Sequence, residues 1–403
     1  MKKILALLLA GCMALALCAC GSTPTEDAEG TGDEGSTGAA GTIVIGVFEP
    51  LSGDNGAGGK QEALGMQYAN SVAPTVEIDG QTYDVKLEIA DNESSTDKAV
   101  SAANTLISKG PSVILGTYGS AVAIAGSDTF ADAGVPAIGV TCTNPQVTEG
   151  NDHYFRICFL DPFQGTVLAN FAKDELQATK VYCLGQLGND YDQGLINYFQ
   201  VAAKDLGLEI VGKDDFPENN SDFTSYLTNA KNAGAEVIFA PCSISYAQLI
   251  VEQAASQGVN IPLLASDTWD SNVILAAAQG KDVQIYISTF YAEGGDKDFE
   301  DGFREFINSN SENLTNNGGN DLIAAVSVMG YDAYFTALEA LKAAGSSDPA
   351  DVMAALPSVT YTGVSGDIAF DEIGDAVRDT AFIKTANVET NAWDFVKVQQ
   401  INK

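Results

Sequence analysis

Strand-like and helix-like segments alternate along this chain from residue 42 onward, with short gaps between them. Residues 42–48 form an apolar run rich in β-branched side chains, which is typical of a strand buried in a parallel sheet. A helical segment follows at 57–72, and the alternation restarts after residue 161. Alternating strands and helices predict an α/β protein whose parallel sheets are covered by helices on both faces. One sheet would not hold this many units, so we expect two lobes.

The predicted elements continue this alternation to residue 288 and change in character afterwards. The predicted strands occupy residues 42–48, 83–91, 112–116, 135–140, 180–185, 209–214, 235–240, 261–265 and 283–288. The principal predicted helices occupy residues 57–72, 96–109, 120–131, 163–175, 191–206, 298–308, 322–344 and 351–356, with β segments at 363–370 and 381–398. Right-handed crossovers bring the carboxyl ends of parallel strands to one edge of each sheet. Two such edges would therefore face each other across a cleft.

The amino terminus has the pattern of an export signal. Lys2-Lys3 precedes an apolar run at residues 4–17, as in a secretory signal. The sequence Leu17-Cys18-Ala19-Cys20 then resembles the bacterial lipobox, in which the cysteine after the cut carries a lipid. We therefore expect residues 1–19 to be a lipoprotein signal peptide, and Cys20 to tether the mature chain to the outer side of the cell membrane.

Two alternatives to this interpretation concern the lipidated cysteine and the fate of the apolar run. Leu9-Ala10-Gly11-Cys12 also fits a lipobox, although cutting before Cys12 would leave a very short apolar run. An uncleaved membrane helix is disfavoured, because the apolar run is shorter than the ~20 residues that a bilayer needs. Residues 21–41 are rich in small, polar and acidic residues and contain no aromatic or large aliphatic side chain. We interpret 20–41 as a flexible acidic tether.

Charge and cysteine content exclude several classes of function. The chain carries a formal charge of −34, and loss of residues 1–19 would bring it to −36. Such a field repels nucleic acid, so no nucleic-acid partner is predicted. The remaining cysteines have no metal-site spacing, so neither a metal nor a cofactor is predicted. Buried free thiols are favoured over one disulfide among Cys142, Cys158, Cys183 and Cys242.

Polar residues follow several predicted strands, at the sheet edge where α/β proteins bind ligands. Ser120 stands at the start of a predicted helix, where free N–H groups and the helix dipole would bind a carboxylate. Thr143 lies in the loop 141–145 after the fourth strand. Asp267 follows the strand at 261–265 and would pair with an ammonium group. The pattern alone fits equally well if Ser120 and Asp267 are helix caps and Thr143 forms a turn.

Catalytic interpretations find little support. His153 is the only histidine, so any triad would have to include it, and it lies in what resembles a connecting strand. The glycine-rich stretch 53–61 lacks a correctly spaced first glycine, and Gln61 stands where a phosphate loop needs serine or threonine. We therefore predict a protein that is not an enzyme.

Several motifs in order resemble the type I periplasmic binding proteins, most closely the leucine/isoleucine/valine-binding group of ABC-importer lipoproteins. The resemblance covers residues 42–403. The motifs that carry it are Ile43-Val-Ile-Gly-Val-Phe-Glu-Pro-Leu-Ser-Gly-Asp54, Gly116-Thr-Tyr-Gly-Ser120, Ala133-Gly-Val-Pro-Ala-Ile-Gly139, Thr141-Cys-Thr-Asn-Pro145, Phe155-Arg156, Asp161-Pro-Phe-Gln-Gly165 and Asn189-Asp-Tyr191.

The resemblance implies two Rossmann-like lobes with parallel central sheets, joined by three crossings and closing on a small ligand. Lobe 1 would comprise 42–161 and 290–379, and lobe 2 would comprise 162–289 and 380–403, with hinges near residues 161, 289 and 379. In the family pattern Ser120 and Thr143 hold an amino-acid carboxylate, while Thr141, Thr143 and Asp267 hold the ammonium. Tyr191 closes over the ligand, and Tyr118 is also expected at the site.

The sequence departs from the family pattern where the ligand side chain would bind. Many relatives carry an aromatic residue where this chain has Gly58, and Cys242 stands at a second position that is often aromatic. Trp269 is expected to fill part of the space, with Tyr246 one helical turn beyond Cys242. The amino-acid clamp therefore resembles that of the family, whereas the side-chain pocket is altered.

The leading hypothesis is a monomeric, membrane-tethered binding protein that delivers an amino acid, branched-chain-like or another small zwitterion, to an ABC permease. The alternative is a ligand-sensing receptor domain of the same fold. The lack of a membrane or signalling segment after Lys403 favours delivery. An exported enzyme is disfavoured.

Overall fold

The computed structural model of the protein describes residues 39–400. Its strands are β1 (Thr42–Glu49), β2 (Thr75–Ile78), β3 (Gln81–Asp91), β4 (Val113–Leu115), β5 (Ala137–Gly139), β6 (Tyr154–Arg156), β7 (Lys180–Gln186), β8 (Glu209–Phe216), β9 (Val237–Phe239), β10 (Leu263–Ala265), β11 (Ile285–Thr289), β12 (Thr360–Gly363), β13 (Gly366–Ala369), β14 (Thr380–Asn387) and β15 (Ala392–Gln400). The predicted signal peptide, Cys20, Cys12 and nearly all of the tether lie outside the described residues.

Helices cover both sheets of this architecture. They are α1 (Gly56–Val72), α2 (Thr96–Ile107), α3 (Ser120–Asp132), α4 (Asp161–Asp174), α5 (Asp190–Leu206), α6 (Thr224–Asn232), α7 (Ile244–Gln257), α8 (Asn272–Ala278), α9 (Lys297–Asn308), α10 (Ser311–Asn316), α11 (Ala325–Ala344) and α12 (Pro349–Ala355). Within the described residues, no helix is both long enough and apolar enough to cross a bilayer.

Two large sheets organise the chain. The first has the strand order β2-β3-β1-β4-β5-β6, and the second has the order β15-β14-β11-β10-β9-β7-β8. Strands β1 and β3–β6 run parallel, as do β7–β11. Their apolar side chains are buried because helices cover the sheets, as the uninterrupted apolar runs predicted. The predicted α/β class is confirmed.

Antiparallel strands flank the parallel strands at one edge of each large sheet. Strand β2 pairs antiparallel with β3, while β14 and β15 form an antiparallel hairpin beside β11. The sequence signal for the first hairpin is Asp79-Gly80, whose φ values of 49° and 75° are those that a two-residue turn between twisted strands requires. The segment predicted at 381–398 is likewise two strands joined by a turn.

Helices α1 and α11 pack along each other on the first sheet, although they are distant in sequence. The Ser327 hydroxyl donates a 2.7 Å hydrogen bond to the carbonyl oxygen of Gln61. Two glycines allow this approach. A Cβ atom at Gly65 would lie 1.9 Å from the carbonyl oxygen of Ser327, and one at Gly330 would lie 2.2 Å from that of Glu62. Because both neighbours are backbone atoms, any larger residue would have to separate the helices.

We predict that Gly65→Ala destabilises the protein by about 1–3 kcal/mol, the usual cost of overpacking, even though alanine is the better helix former. The loss would be measured as a lower midpoint of urea unfolding. Gly41→Ala is the control, because a Cβ atom there would lie 3.7 Å from the nearest atom, in the Tyr83 ring. Equal midpoints for the two variants would contradict the close-packing account.

Candidate functional site

A cavity of about 470 Å³ lies where the carboxyl ends of the two parallel sheets face each other. Loops that follow β1, β3, β4 and β5 form one wall, and loops that follow β7, β8, β9 and β10 form the other. Open α/β sheets bind ligands at this edge. The candidate residues that line the cavity are Tyr118, Ser120, Thr141, Tyr191 and Asp267.

Asp267 lies directly after β10 and is almost completely buried, with 2% of its surface exposed. Its Oδ1 accepts hydrogen bonds from the Tyr191 hydroxyl at 2.8 Å and from Gln164 Nε2 at 2.6 Å. No described residue donates to its Oδ2, which leaves that oxygen for a group in the cavity. Burial raises the pKa of Asp267 to about 6, although these two hydrogen bonds oppose the shift. Asp267 does not cap the next helix: the Ser271 hydroxyl does.

Tyr191 and Gln164 reach Asp267 from two helices of the second sheet. Tyr191 is in the first turn of α5, which Asn189 caps by accepting hydrogen bonds from the N–H groups of Tyr191 and Asp192. Gln164, on the first turn of α4, also donates to the Ser288 hydroxyl at 2.9 Å. Sequence reasoning noted Gln164 only as part of a motif. Its position beside a carboxylate depends on the orientation of α4, which the sequence alone does not specify.

Ser120 opens α3 at the cavity, as predicted, but its hydroxyl does not cap that helix. It accepts a 3.1 Å hydrogen bond from the backbone N–H of Asn144 instead, and so joins the loops that follow β4 and β5. The first backbone N–H of α3 that donates a helical hydrogen bond is that of Ala123, which bonds to the carbonyl oxygen of Gly119. The earlier N–H groups of Ser120, Ala121 and Val122 have no partner within the helix, and these residues line the cavity, where a helix start can attract an anion.

Tyr118 crosses the cavity and packs on Gly58. Its hydroxyl donates a 2.8 Å hydrogen bond to the carbonyl oxygen of Thr268 on the opposite wall. A Cβ atom at Gly58 would lie 2.5 Å from the Tyr118 ring, so that only glycine leaves room for the ring in this position. The aromatic residue that the family pattern expected on α1 is thus replaced by one from the loop after β4.

The two walls also meet directly beside the cavity. The Ser245 hydroxyl donates to Asp54 Oδ1 at 2.7 Å, and the backbone N–H of Ile244 donates to Asn55 Oδ1 at 3.1 Å. On another side, Asn144 Nδ2 donates to the carbonyl oxygen of Asp190 at 2.8 Å. These bonds join the start of α1 and the loop after β5 to helices of the second sheet.

Three candidate residues do not line the cavity. Thr143 is fully buried behind the wall, and its hydroxyl has no hydrogen-bond partner among the described residues. Cys242 and Trp269 belong to the core of the second sheet, where the indole N–H donates a 3.0 Å bond to the carbonyl oxygen of Cys242. Trp269 does not fill the ligand space as expected, because its side chain is completely buried in the apolar core of the second sheet.

The charged side chains that line the cavity are all acidic among the described residues. Among the described residues that line it, Asp54, Glu93, Asp97, Glu218 and Asp267 are acidic, and none is a lysine, arginine or histidine. Positive potential comes instead from the amino-terminal ends of α2, α3 and α5, which open at the cavity. The arrangement suits a ligand with a cationic group near Asp267 and an anionic group near a helix start.

Two further carboxyl groups lie behind the first wall and were missed by sequence reasoning. Glu49, the last residue of β1, and Glu62, on α1, are both fully buried. Glu49 Oε2 accepts a 2.8 Å bond from the N–H of Tyr118, and Glu62 Oε2 accepts a 2.5 Å bond from the Thr141 hydroxyl. Each therefore touches a residue of the cavity wall. A glutamate inside a helical pattern gives no signal of its burial.

A buried ion pair holds the loop that carries Thr141. The Arg156 Nε donates to Asp375 Oδ1 at 2.5 Å, with both side chains removed from solvent. The same guanidinium donates to the carbonyl oxygens of Cys142 and Asn144 at 3.0 Å and 2.5 Å. The loop after β5 is therefore fixed from beneath by charge-assisted hydrogen bonds.

The other candidate chemistry is absent from the cavity. The His153 imidazole pairs with Asp152 at 2.9 Å, away from the cavity wall. Cys142, Cys158, Cys183 and Cys242 are buried free thiols, which excludes the disulfide alternative in this structure. No group of three or more potential metal ligands occurs among residues 39–400.

Comparisons with known proteins agree with this geometry. Residues 42–388 match the family Periplasmic binding protein. The chain is 28% identical over 337 residues to Leu/Ile/Val-binding protein homolog 1 of Brucella suis biovar 1, covering 83% of this chain and 87% of the relative.

Solved structures show the same similarity. The leucine-binding protein LivK from Thermotoga maritima has a TM-score of 0.77 and 28% identity, covering 89% of this chain and 99% of that one. The branched-chain amino acid substrate-binding protein LivJ from Streptococcus pneumoniae, solved with isoleucine, has a TM-score of 0.76 at 24% identity, with 89% and 99% covered. With its two facing sheets and the family match over most of its length, the chain belongs to the type I periplasmic binding proteins, which are solute-binding proteins and not enzymes.

Proposed function

We propose that this protein captures a small zwitterionic amino acid in the cavity between its sheets and delivers it to an ABC importer. The observation that carries the proposal is the free Oδ2 of Asp267 in a cavity whose described lining contains no basic side chain. A buried carboxylate without a cationic partner costs free energy, and a ligand ammonium would offset that cost. Next to Asp267, an anionic group would be repelled by the carboxylate.

The other end of an amino acid fits the start of α3. The free N–H groups of Ser120, Ala121 and Val122 would bind its carboxylate together with the helix dipole. Tyr118 and Tyr191 offer aromatic surface between the two ends. The relatives named for leucine, isoleucine and valine make these amino acids the first ligands to test.

We predict that Asp267→Asn weakens binding of L-leucine, or of the amino acid retained from a mixed pool, by about 2–5 kcal/mol, because a desolvated ammonium loses its charged partner. Titration calorimetry would measure the loss, and mass spectrometry of protein incubated with the pool would identify the ligand. Asp205→Asn, at an exposed position on α5, is the matched control.

Two analogues of leucine sharpen this test. 4-Methylpentanoate lacks the amino group, and 3-methylbutylamine lacks the carboxylate. If Asp267 binds the ammonium, the amine analogue alone should lose affinity in Asp267→Asn. Unchanged affinity of the variant for the amino acid would remove Asp267 from the site and favour a ligand without an amino group.

We further propose that ligand closes two lobes, 42–161 with 290–379 and 162–289 with 380–403, about hinges near residues 161, 289 and 379. The proposal is supported by a cavity that takes one wall from each sheet, since a molecule held by Ser120 and Tyr191 would bridge them. Only a higher affinity for the closed form can drive such a change.

Small-angle X-ray scattering with and without the bound amino acid would test closure. We expect the radius of gyration to fall when ligand is added, and the scattering of Asp267→Asn to stay unchanged at a ligand concentration that saturates only the wild type. Identical curves for empty and saturated wild-type protein would indicate a rigid pocket or an apo form that is already closed.

We also propose that the chain is anchored outside the membrane through Cys20, as the sequence predicts. We expect Cys20→Ala to abolish lipid modification and to leave the chain unprocessed or released, whereas Cys12→Ala should remain anchored. Metabolic labelling with a fatty-acid analogue and fractionation of membranes would measure both. Lipid labelling that persists in Cys20→Ala and disappears in Cys12→Ala would move the anchor to Cys12.

A further inference from the structure

Glu49 and Glu62 bring two buried carboxyl groups together without a basic partner among the described residues. Both side chains are completely buried, and the two carboxyls lie within hydrogen-bonding reach of each other. Each uses its Oε2 to accept one bond, from the N–H of Tyr118 and from the Thr141 hydroxyl. Neither Oε1 has a donor among the described residues. Two ionised carboxylates would repel each other in such a site, so at least one proton must lie between them.

The surroundings of the pair offer no compensating charge. The titratable groups that face it are the carboxyl of Asp267 across the cavity, the thiol of Cys142 and the phenols of Tyr118 and Tyr154. Arg156, on the edge strand β6, is already bonded to Asp375. The described ion pairs of this structure include neither Glu49 nor Glu62.

Thr141 connects the pair with the ligand cavity. Its hydroxyl has a single proton, and that proton is donated to Glu62 at 2.5 Å. Only oxygen lone pairs remain for the cavity that Thr141 lines, so this hydroxyl can accept a hydrogen bond but cannot donate one. Its partner in the cavity must therefore be a donor such as an ammonium group.

We propose that Glu49 and Glu62 are positioning residues of the ligand site: they keep one proton between them, fix the Thr141 hydroxyl as an acceptor for a ligand ammonium, and lose a second proton, from Glu62, when it binds. The ligand part of this inference rests on the proposed function, whereas the shared proton does not. In the step that follows, the O–H bond of protonated Glu62 breaks, its electron pair stays on the carboxylate, and the proton passes to the solvent buffer, while Glu49 keeps the proton that lies between the two carboxyls. The ligand ammonium remains protonated.

The electrostatics support this direction of proton movement. Burial raises the pKa of Glu62 to about 7 and that of Glu49 well above its usual range. A positive charge beside Thr141 stabilises the ionised form and lowers the pKa of the pair. Binding of an ammonium therefore becomes tighter as pH rises through about 7. Asp267 adds a separate proton release near pH 6, which persists when Glu62 is replaced.

The shared proton can be tested without a ligand. A carboxyl whose folded-state pKa is raised stabilises the fold below the unfolded-state value of 4.5 and loses that contribution as pH rises to about 7. We expect the urea midpoint of the wild type to fall between pH 4.5 and 8, and that of Glu62→Gln to fall less. Glu77→Gln, at an exposed position on β2, should behave like the wild type.

The ligand part is tested by calorimetry at pH 7 with L-leucine, or the amino acid retained from a mixed pool, as the probe. Measurements in phosphate and in Tris, whose ionisation enthalpies differ, give the number of protons released. We expect release by the wild type and a smaller release by Glu62→Gln. Near pH 6 the two proteins should bind alike, because the amide oxygen still accepts from Thr141. At pH 8 the wild type should bind roughly tenfold more tightly, equivalent to a pKa shift of one unit.

The outcomes separate this inference from the proposed function. Glu62→Leu removes the acceptor and should bind more weakly at both pH values. Equal pH dependence of unfolding in the wild type and Glu62→Gln would overturn the shared proton. Equal proton release on ligand binding would overturn the coupling while leaving amino-acid capture intact. A wild type that binds no amino acid would overturn the proposed function and the ammonium role together, while the unfolding arm would still decide the shared proton.

Discussion

Asp267 is almost completely buried. None of the described side chains that line its cavity is a lysine, arginine or histidine. A buried carboxylate in this condition must draw stabilisation from hydrogen bonds, and Tyr191 and Gln164 provide two of them. Both act on the same oxygen, so the other oxygen stays without a protein donor. Only a molecule that enters the cavity can interact with that oxygen and offset the rest of the desolvation cost. Helices α4 and α5 contribute to this stabilisation, because the first turn of each places a side chain, Gln164 or Tyr191, against the Asp267 carboxylate.

The loop after β5 and the start of α3, on the opposite wall, are also held in place by hydrogen bonds. The loop after β5 is held by the guanidinium of Arg156, and the start of α3 is tied to that loop through Ser120. Thr141 and the free N–H groups of α3 are therefore held in place before a ligand arrives. Preorganisation of this kind reduces the entropy lost on binding. The acidic groups behind Thr141 make the same wall sensitive to protonation.

Much of the architecture could be predicted from the sequence, because each strand and helix carries its own periodicity. Topology likewise predicts that the loops after β4, β5 and β10 lie at the carboxyl edge of the sheets, where they line the cavity. Glu62 and Gln164 could not be identified, because their burial depends on helices that arrive from elsewhere in the chain. Cys242 and Trp269 show the limit of resemblance: it transfers a position along the chain but not the direction of a side chain. Strand β2 is not among the predicted strands, although the turn residues Asp79 and Gly80 indicate a hairpin there.

The contact between α1 and α11 has a consequence for the order in which the protein can fold. Ser327 and Gln61, which meet there, are 266 residues apart in the chain. The first sheet is complete in sequence by Arg156, yet one face of its first helix stays uncovered until α11 has been synthesised. The amino-terminal half is therefore not an autonomous folding unit. Contacts of such high sequence separation form late, and the nascent chain stays open for most of its synthesis.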